Sequence, residues 1–207
     1  MPTPSVALVT GATRGAGKGI ALGLAAKGLT VYVTGRSKQI PTATLKGETL
    51  SGTLDETVTA INAAGGTGIG ITCDHSDDQQ TRRVIDQIGR EQGRLDILVN
   101  NAANIHENLI DPGGFWEKPL ELVDILDVGL RSAYVASYYA APLMIKQRYG
   151  LITFTSSFGS ACYMHGPAYG AQKVGYDNLA TDMAIDLETE NVAAVSLWLG
   201  PQLTERT

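Results

Sequence analysis

The sequence predicts an α/β protein built on a doubly wound parallel sheet. Six short apolar runs alternate with longer amphipathic stretches along the chain. The runs are apolar at consecutive positions, as parallel strands covered on both faces are. A glycine-rich turn joins the first run to the first amphipathic stretch. Strand–helix alternation of this kind requires right-handed crossovers and places helices on both faces of one sheet.

The strands are read at Val6–Val9, Thr30–Val33, Gly68–Ile71, Leu95–Val99, Leu151–Phe154 and Val192–Leu197. The helices are read at Gly17–Lys27, Leu54–Ala63, Gln79–Arg90, Leu120–Ile145 and Ala168–Glu190. Six strands and five helices fit one three-layer, Rossmann-like domain over residues 1–207. Two segments break the rhythm. Ser37–Thr53 is polar with Gly, Pro and Thr, and is expected as a surface loop. Asn104–Pro119 contains Pro112-Gly113-Gly114, and is expected as a loop at the sheet edge. No internal repeat is present.

Composition narrows the function classes. Apolar residues make up 43% of the 207, enough for a sizeable core, and charged residues only 18%. A disordered chain would reverse that balance. The net charge of −5 argues against a nucleic-acid surface. Cys73 and Cys162 lie far apart without CxxC spacing, which suits a reduced, intracellular and by default cytoplasmic protein. Pairing of the two thiols stays open. No secretory signal is evident. The longest uncharged run, Ser132 to Ile145, has fourteen residues. A spanning helix needs about 20. Peripheral membrane association stays open. No His, Cys and carboxylate cluster has ligand spacing, so no metal is expected.

The first strand runs into Thr10-Gly11-Ala12-Thr13-Arg14-Gly15-Ala16-Gly17. A tight strand-to-helix turn needs glycine for positive φ and close backbone approach. The helix then points its unpaired N–H groups at the turn, where a pyrophosphate fits. The second strand ends at Thr34-Gly35-Arg36. A carboxylate there would read an unmodified ribose; an arginine favours a 2′-phosphate. Arg36, with Arg14 as a second charge, therefore points to NADP rather than NAD.

Tyr169 and Lys173 stand four residues apart, so on a helix they share a face. Free tyrosine, with a pKa of about 10, is a poor base. A neighbouring ammonium stabilises its phenolate and makes it a usable proton donor and acceptor. Ser156 lies thirteen residues upstream, at the end of the fifth strand, and Asn100-Asn101-Ala102 follows the fourth. Ligands of open α/β sheets bind at that edge. Ser157 is the second choice of serine, because Ser156 has the thirteen-residue spacing and a glycine three positions on.

These motifs together resemble the short-chain dehydrogenase/reductase family over the whole length of the chain. The resemblance rests on the glycine turn, Cys73-Asp74, Asn100-Asn101-Ala102, Ser156, Tyr169/Lys173, and Gly200 with Thr204. Phe115-Trp116-Glu117-Lys118-Pro119, Val128-Gly129-Leu130-Arg131 and Ser196-Leu197-Trp198 further resemble one subgroup. The resemblance implies a hydride-transferring oxidoreductase of carbonyl reductase type. Tyr169 would exchange the proton, Ser156 would hold the substrate oxygen, and Lys173 would serve Tyr169 and the nicotinamide ribose. Gly11, Thr13, Arg14, Gly15 and Gly17 would cradle the pyrophosphate. Asp74 would meet the adenine, Asn101 and Ala102 would flank the cofactor, and Gly200 and Thr204 would approach the carboxamide. The subgroup implies a small lipophilic ketone, aldehyde or steroid as substrate. The long fourth helix, with Tyr138-Tyr139, implies a homo-oligomer.

Three departures accompany the resemblance. Asp127 stands where the family carries a relay asparagine, and is expected near Lys173. The motif after the fourth strand ends in Ala103, and the proline-glycine after the sixth strand reads Leu199-Gly200-Pro201. The family also continues well beyond Thr204, so a last strand and a lid are expected to be missing. These departures leave a second reading open, a non-catalytic dinucleotide-binding sensor or scaffold.

Overall fold

The computed structural model describes residues 5–205. Val6–Val9 forms β1, with all four residues buried. Gly15–Ala25 is α1, and Thr30–Gly35 is β2, also wholly buried. Thr44–Leu45 (β3) and Glu48–Thr49 (β4) pair antiparallel. The expected surface loop therefore contains a small hairpin. Lys46 and Gly47 both take positive φ at its turn, 50° and 85°, as a two-residue hairpin loop requires. Strands of two residues carry no readable periodicity, which is why the sequence hides them.

Leu54–Ala63 is α2, started by a reciprocal capping box between Thr53 and Glu56. Thr67–Thr72 is β5. Asp78–Gln92 is α3, capped by the Asp77 carboxylate and ended by Gly93 in the left-handed region. Ile97–Asn100 is β6. Ser132–Gln147 is α4, Gly150–Ser156 is β7, Pro167–Asp186 is α5 and Val192–Trp198 is β8.

The six main strands run parallel in the order β5-β2-β1-β6-β7-β8. The order reverses between β1 and β6, where doubly wound sheets bind their ligands. One face packs Val84, Ile88, Ala136, Met144 and Tyr176 from α3, α4 and α5. The other packs Ala21, Ala25, Leu54 and Ile61 from α1 and α2. The expected three-layer, doubly wound architecture is present.

The fourth helix differs from its expected extent. Leu120–Val123 is a single 3-10 turn, and Leu126–Arg131 is a widened turn broken at Val128 and Gly129. Gly129 has φ 158° and ψ −90°, a region open only to glycine. The Ser132 hydroxyl accepts from the Gly129 N–H at 3.0 Å and restarts the helix. The apolar pattern ran through this break although Leu120 and Val123 before it are exposed and only the helix after it buries a stripe.

Candidate active site

The C-terminal ends of β1, β2, β6 and β7 open into one cleft of about 740 Å³. Gly11 and Gly15 adopt the left-handed conformation, with φ 63° and 57°. The Gly11 turn lies against β6, where Asn101 donates from Nδ2 to the Thr10 and Gly11 carbonyls at 2.9 Å each. Asn101 and Ala102 thus hold the turn from beneath while lining the cleft. At the head of α1, the Gly15 N–H donates to Oε2 of Glu205 at 2.8 Å. A carboxylate stands where a cofactor phosphate would sit, so the turn accepts an anion.

Arg36 is exposed at the end of β2 and lines the cleft. Arg14 is more occupied than the sequence suggests. Its guanidinium donates to the Leu50 and Gly52 carbonyls at 3.4 and 3.3 Å. Burial lowers its pKa, Glu205 opposes that, and Arg36 adds to it. The two cations are therefore neighbours. Burial would raise the Asp74 pKa, but hydrogen bonds from Ser76 and the field of Arg36 outweigh it and keep the carboxyl low.

Tyr169 and Lys173 lie one turn apart on α5 and face the cleft. The Lys173 ammonium sits 5.2 Å from the Tyr169 ring centroid and donates to the Thr155 carbonyl at 2.8 Å. Burial pulls its pKa down to about 8, and the Asp177 carboxylate pulls the other way.

The serine expectation is corrected. Ser157 Oγ lies 2.9 Å from the Tyr169 hydroxyl. Ser156 turns inward, with Oγ donating to the Lys173 carbonyl at 3.3 Å, and is 2% exposed. Ser157 keeps the extended backbone of β7, with φ −162° and ψ 176°, so the two adjacent hydroxyls point to opposite faces. Chain spacing could not tell twelve residues from thirteen.

Two further expectations move. Asp127 lines the cleft but is exposed, and its field acts on Arg131. The carboxylate acting on Lys173 is Asp177. Thr204 lies against Gly15 at the head of α1, 3.7 Å from where a Cβ would stand. Gly200 and Thr13 line the cleft, and Gly17 packs against Asn101 and the Gly11 carbonyl.

Sequence reasoning missed Asp177 and Glu205 altogether. Asp177 carried a signal, since Tyr169, Lys173 and Asp177 recur every four residues. Glu205 carried none. A second, mostly apolar cavity of about 340 Å³ lies beside the first, between Phe115, Leu120, Val123, Tyr163 and His165. The His165 ring meets the Tyr169 ring edge-on at 5.0 Å. Cys73 and Cys162 are both free. Among the described residues no His, Cys, Asp and Glu group gathers at metal-binding geometry. None of their helices is long and apolar enough to cross a membrane.

The chain is 41% identical over 204 residues to dehydrogenase/reductase SDR family member 1 of Homo sapiens, covering 97% of this chain and 61% of that protein. It is 33% identical over 188 residues to the 3-oxoacyl-(acyl-carrier-protein) reductase FabG of Staphylococcus aureus, covering 90% and 70%. Among solved structures, a metagenomic short-chain oxidoreductase in complex with NADP superposes with a TM-score of 0.80 at 30% identity, over 95% of this chain and 82% of that one. The chain thus spans about three fifths of the length of the SDR family member 1 relatives. The family model described as short chain dehydrogenase matches residues 5–207, and the chain belongs to that family.

Proposed function

We propose that this chain carries the active site of an NADP-dependent oxidoreductase that interconverts a small lipophilic carbonyl and its alcohol. The observation that carries the reading is the Ser157–Tyr169 hydroxyl pair at 2.9 Å, with the Lys173 ammonium beside it. It opens on the same cleft as the glycine turn.

The residues present fit a dinucleotide. Gly11, Thr13, Gly15 and Gly17 would receive the pyrophosphate, and the Gly15 N–H donating to the Glu205 carboxylate supports this. Arg36, with Arg14 adjacent, would take a 2′-phosphate, and Asp74 the adenine. Asn101, Ala102, Lys173, Gly200 and Thr204 would flank the remainder. When bound, the reduced nicotinamide supplies the hydride. The Tyr169 hydroxyl gives its proton to the carbonyl oxygen, and the Ser157 hydroxyl donates a hydrogen bond to that same oxygen. The Lys173 ammonium stabilises the phenolate left behind. The oxidation direction reverses each step. The apolar cavity beyond His165 supports a lipophilic substrate, and the NADP held by the solved relative supports the cofactor.

The test combines cofactor titration with turnover on apolar ketones and aldehydes. NADPH should bind about tenfold or more tightly than NADH, as one or two charge-assisted bonds to a phosphate imply. Tyr169→Phe should lose at least about 100-fold in turnover while keeping NADPH affinity. Ser157→Ala should lose far more than Ser156→Ala. Near-parental turnover of Tyr169→Phe would overturn the mechanism, and equal NADH affinity would overturn the cofactor assignment. Tight NADPH binding with no turnover of any carbonyl would favour the sensor or scaffold reading.

A further inference from the structure

Tyr169, Lys173 and Asp177 stand at successive four-residue intervals on α5, so the three side chains share one face. Tyr169 and Lys173 belong to the proposed reaction. Asp177 is not needed by it, yet it is the more elaborately held.

The Asp177 carboxylate accepts two hydrogen bonds from β8. Ser196 of β8 donates to Oδ1, and the Trp198 indole N–H, also on β8, donates to Oδ2 at 3.0 Å. Ser156 at the end of β7 and Ser160 in the following turn lie near it and help lower its pKa, while their own protons go to the Lys173 and Ser157 carbonyls. Ser156 and Trp198 face each other in the β7–β8 register. The carboxylate therefore pins the end of β8 to α5, where β8 pairs with the end of β7 beside Ser157. Burial would raise its pKa, but these donors outweigh burial and keep it ionised.

The same charge faces Lys173. On α5 the ammonium is flanked by the Tyr169 and Tyr176 rings, each at 5.2 Å, and by Asp177. From β7 it meets the uncharged Thr155 carbonyl. The turn after β7 offers Ser160, and β8 offers Ser196 and Trp198, all uncharged. The broken segment 126–131 carries Asp127 and Arg131, which act on one another. Burial weakens the ammonium, and Asp177 is the charge opposing that.

We propose that Asp177 is a positioning residue of the reaction site, clamping β8 to α5 and, from the next turn of the same helix face, serving as counter-ion to Lys173. The proposal deepens the oxidoreductase reading and rests on it for its kinetic consequence. Its electrostatic half stands apart from turnover. A merely structural Asp177 would act through its hydrogen bonds alone, and an asparagine would replace most of them.

The test compares Asp177→Asn and Asp177→Glu with the parent chain. Lys173 is labelled by reductive methylation from pH 6 to pH 10 and quantified by mass spectrometry, with no cofactor or substrate present. At pH 7 Asp177→Asn should label about fivefold faster, if the lost charge is worth about a factor of ten in proton affinity. Its turnover should fall away at lower pH than the parent's, with kcat reduced more than KM for NADPH changes. Asp177→Glu should restore the labelling curve and much of the turnover. A labelling curve of Asp177→Asn that superposes on the parent's overturns the counter-ion role, whatever happens to rate. Unchanged turnover and pH profile in an active parent overturn the positioning role. If the parent itself turns over no carbonyl, the oxidoreductase reading fails while the labelling result still decides the counter-ion. Should Asp177→Asn not fold, Asp177→Gln against Asp177→Glu makes the same comparison, with Gln expected to label faster.

Discussion

Ser156 and Ser157 are neighbours in the chain and have opposite fates. A strand sends successive side chains to opposite faces, so only one of two adjacent hydroxyls can meet Tyr169. Burial treats titratable side chains as selectively. His75 stands in the cleft wall beside Asp74, with Nε2 on Thr34 Oγ1 at 2.8 Å and Nδ1 on Thr81 Oγ1 at 3.1 Å. It is buried, which pushes its pKa down to about 4, and the nearby Asp74 only partly offsets this. The unfolded chain, near the ordinary value of about 6.5, takes up a proton first as the pH falls. The stability held by neutral His75 is therefore present above about pH 6.5 and lost as the pH falls toward 4. Between pH 7 and pH 5 that loss should be about 2 kcal/mol. Urea unfolding at the two pH values checks it. His75→Gln should lose correspondingly less over the interval. An equal loss in both proteins would place the acid sensitivity elsewhere.

At the scale of elements, the head of α1 and the segment after β8 meet at the anion site. Glu205 accepts from the Gly15 N–H, and Thr204 packs against the same glycine. A cofactor phosphate would compete with that carboxylate for the same positive helix end. Glu205→Gln should therefore bind NADPH about two- to fivefold more tightly, the size of one exposed charge at a helix N-terminus. Fluorescence titration of NADPH at low salt measures it. Unchanged or weaker binding would mean that the carboxylate does not compete. The broken start of α4 shows another element-level effect. Gly129 releases its carbonyl to the Tyr176 hydroxyl at 3.2 Å, so the break joins the widened turn to α5 beside Lys173.

At the scale of the whole molecule, the two faces of the sheet are unequally covered. Helices α3, α4 and α5 pack one face, whereas α1 and α2 pack the other. Along β8, Val192 and Ala194 are buried, while Val195 and Leu197 on the opposite face are 37% and 44% exposed. Among the described residues β8 pairs only with β7, so an apolar face lies next to an open edge. Such edges template association. The 207-residue chain should self-associate with rising concentration, seen by size-exclusion chromatography with light scattering. Val195→Lys and Leu197→Lys should each reduce it. A parent that stays monomeric at high concentration would show the face to be inert.

The sequence alone determined the alternation of strands and helices, the glycine turn, Arg36 at the end of β2 and the Tyr169/Lys173 pair. Each is local: a period, a turn chemistry or a four-residue spacing can be read from adjacent residues. Only the tertiary structure chose Ser157 over Ser156, because packing decides which face at the end of β7 meets Tyr169, and spacing does not encode it. Only the tertiary structure made Asp177 rather than Asp127 the carboxylate whose field acts on Lys173. One carboxylate lies on the same helix face, and the other lies across a backbone break that the apolar pattern concealed. Glu205 at Gly15 pairs residues 190 apart in the chain. A contact of that range forms when the sheet brings strand ends to one rim, and no local pattern records it.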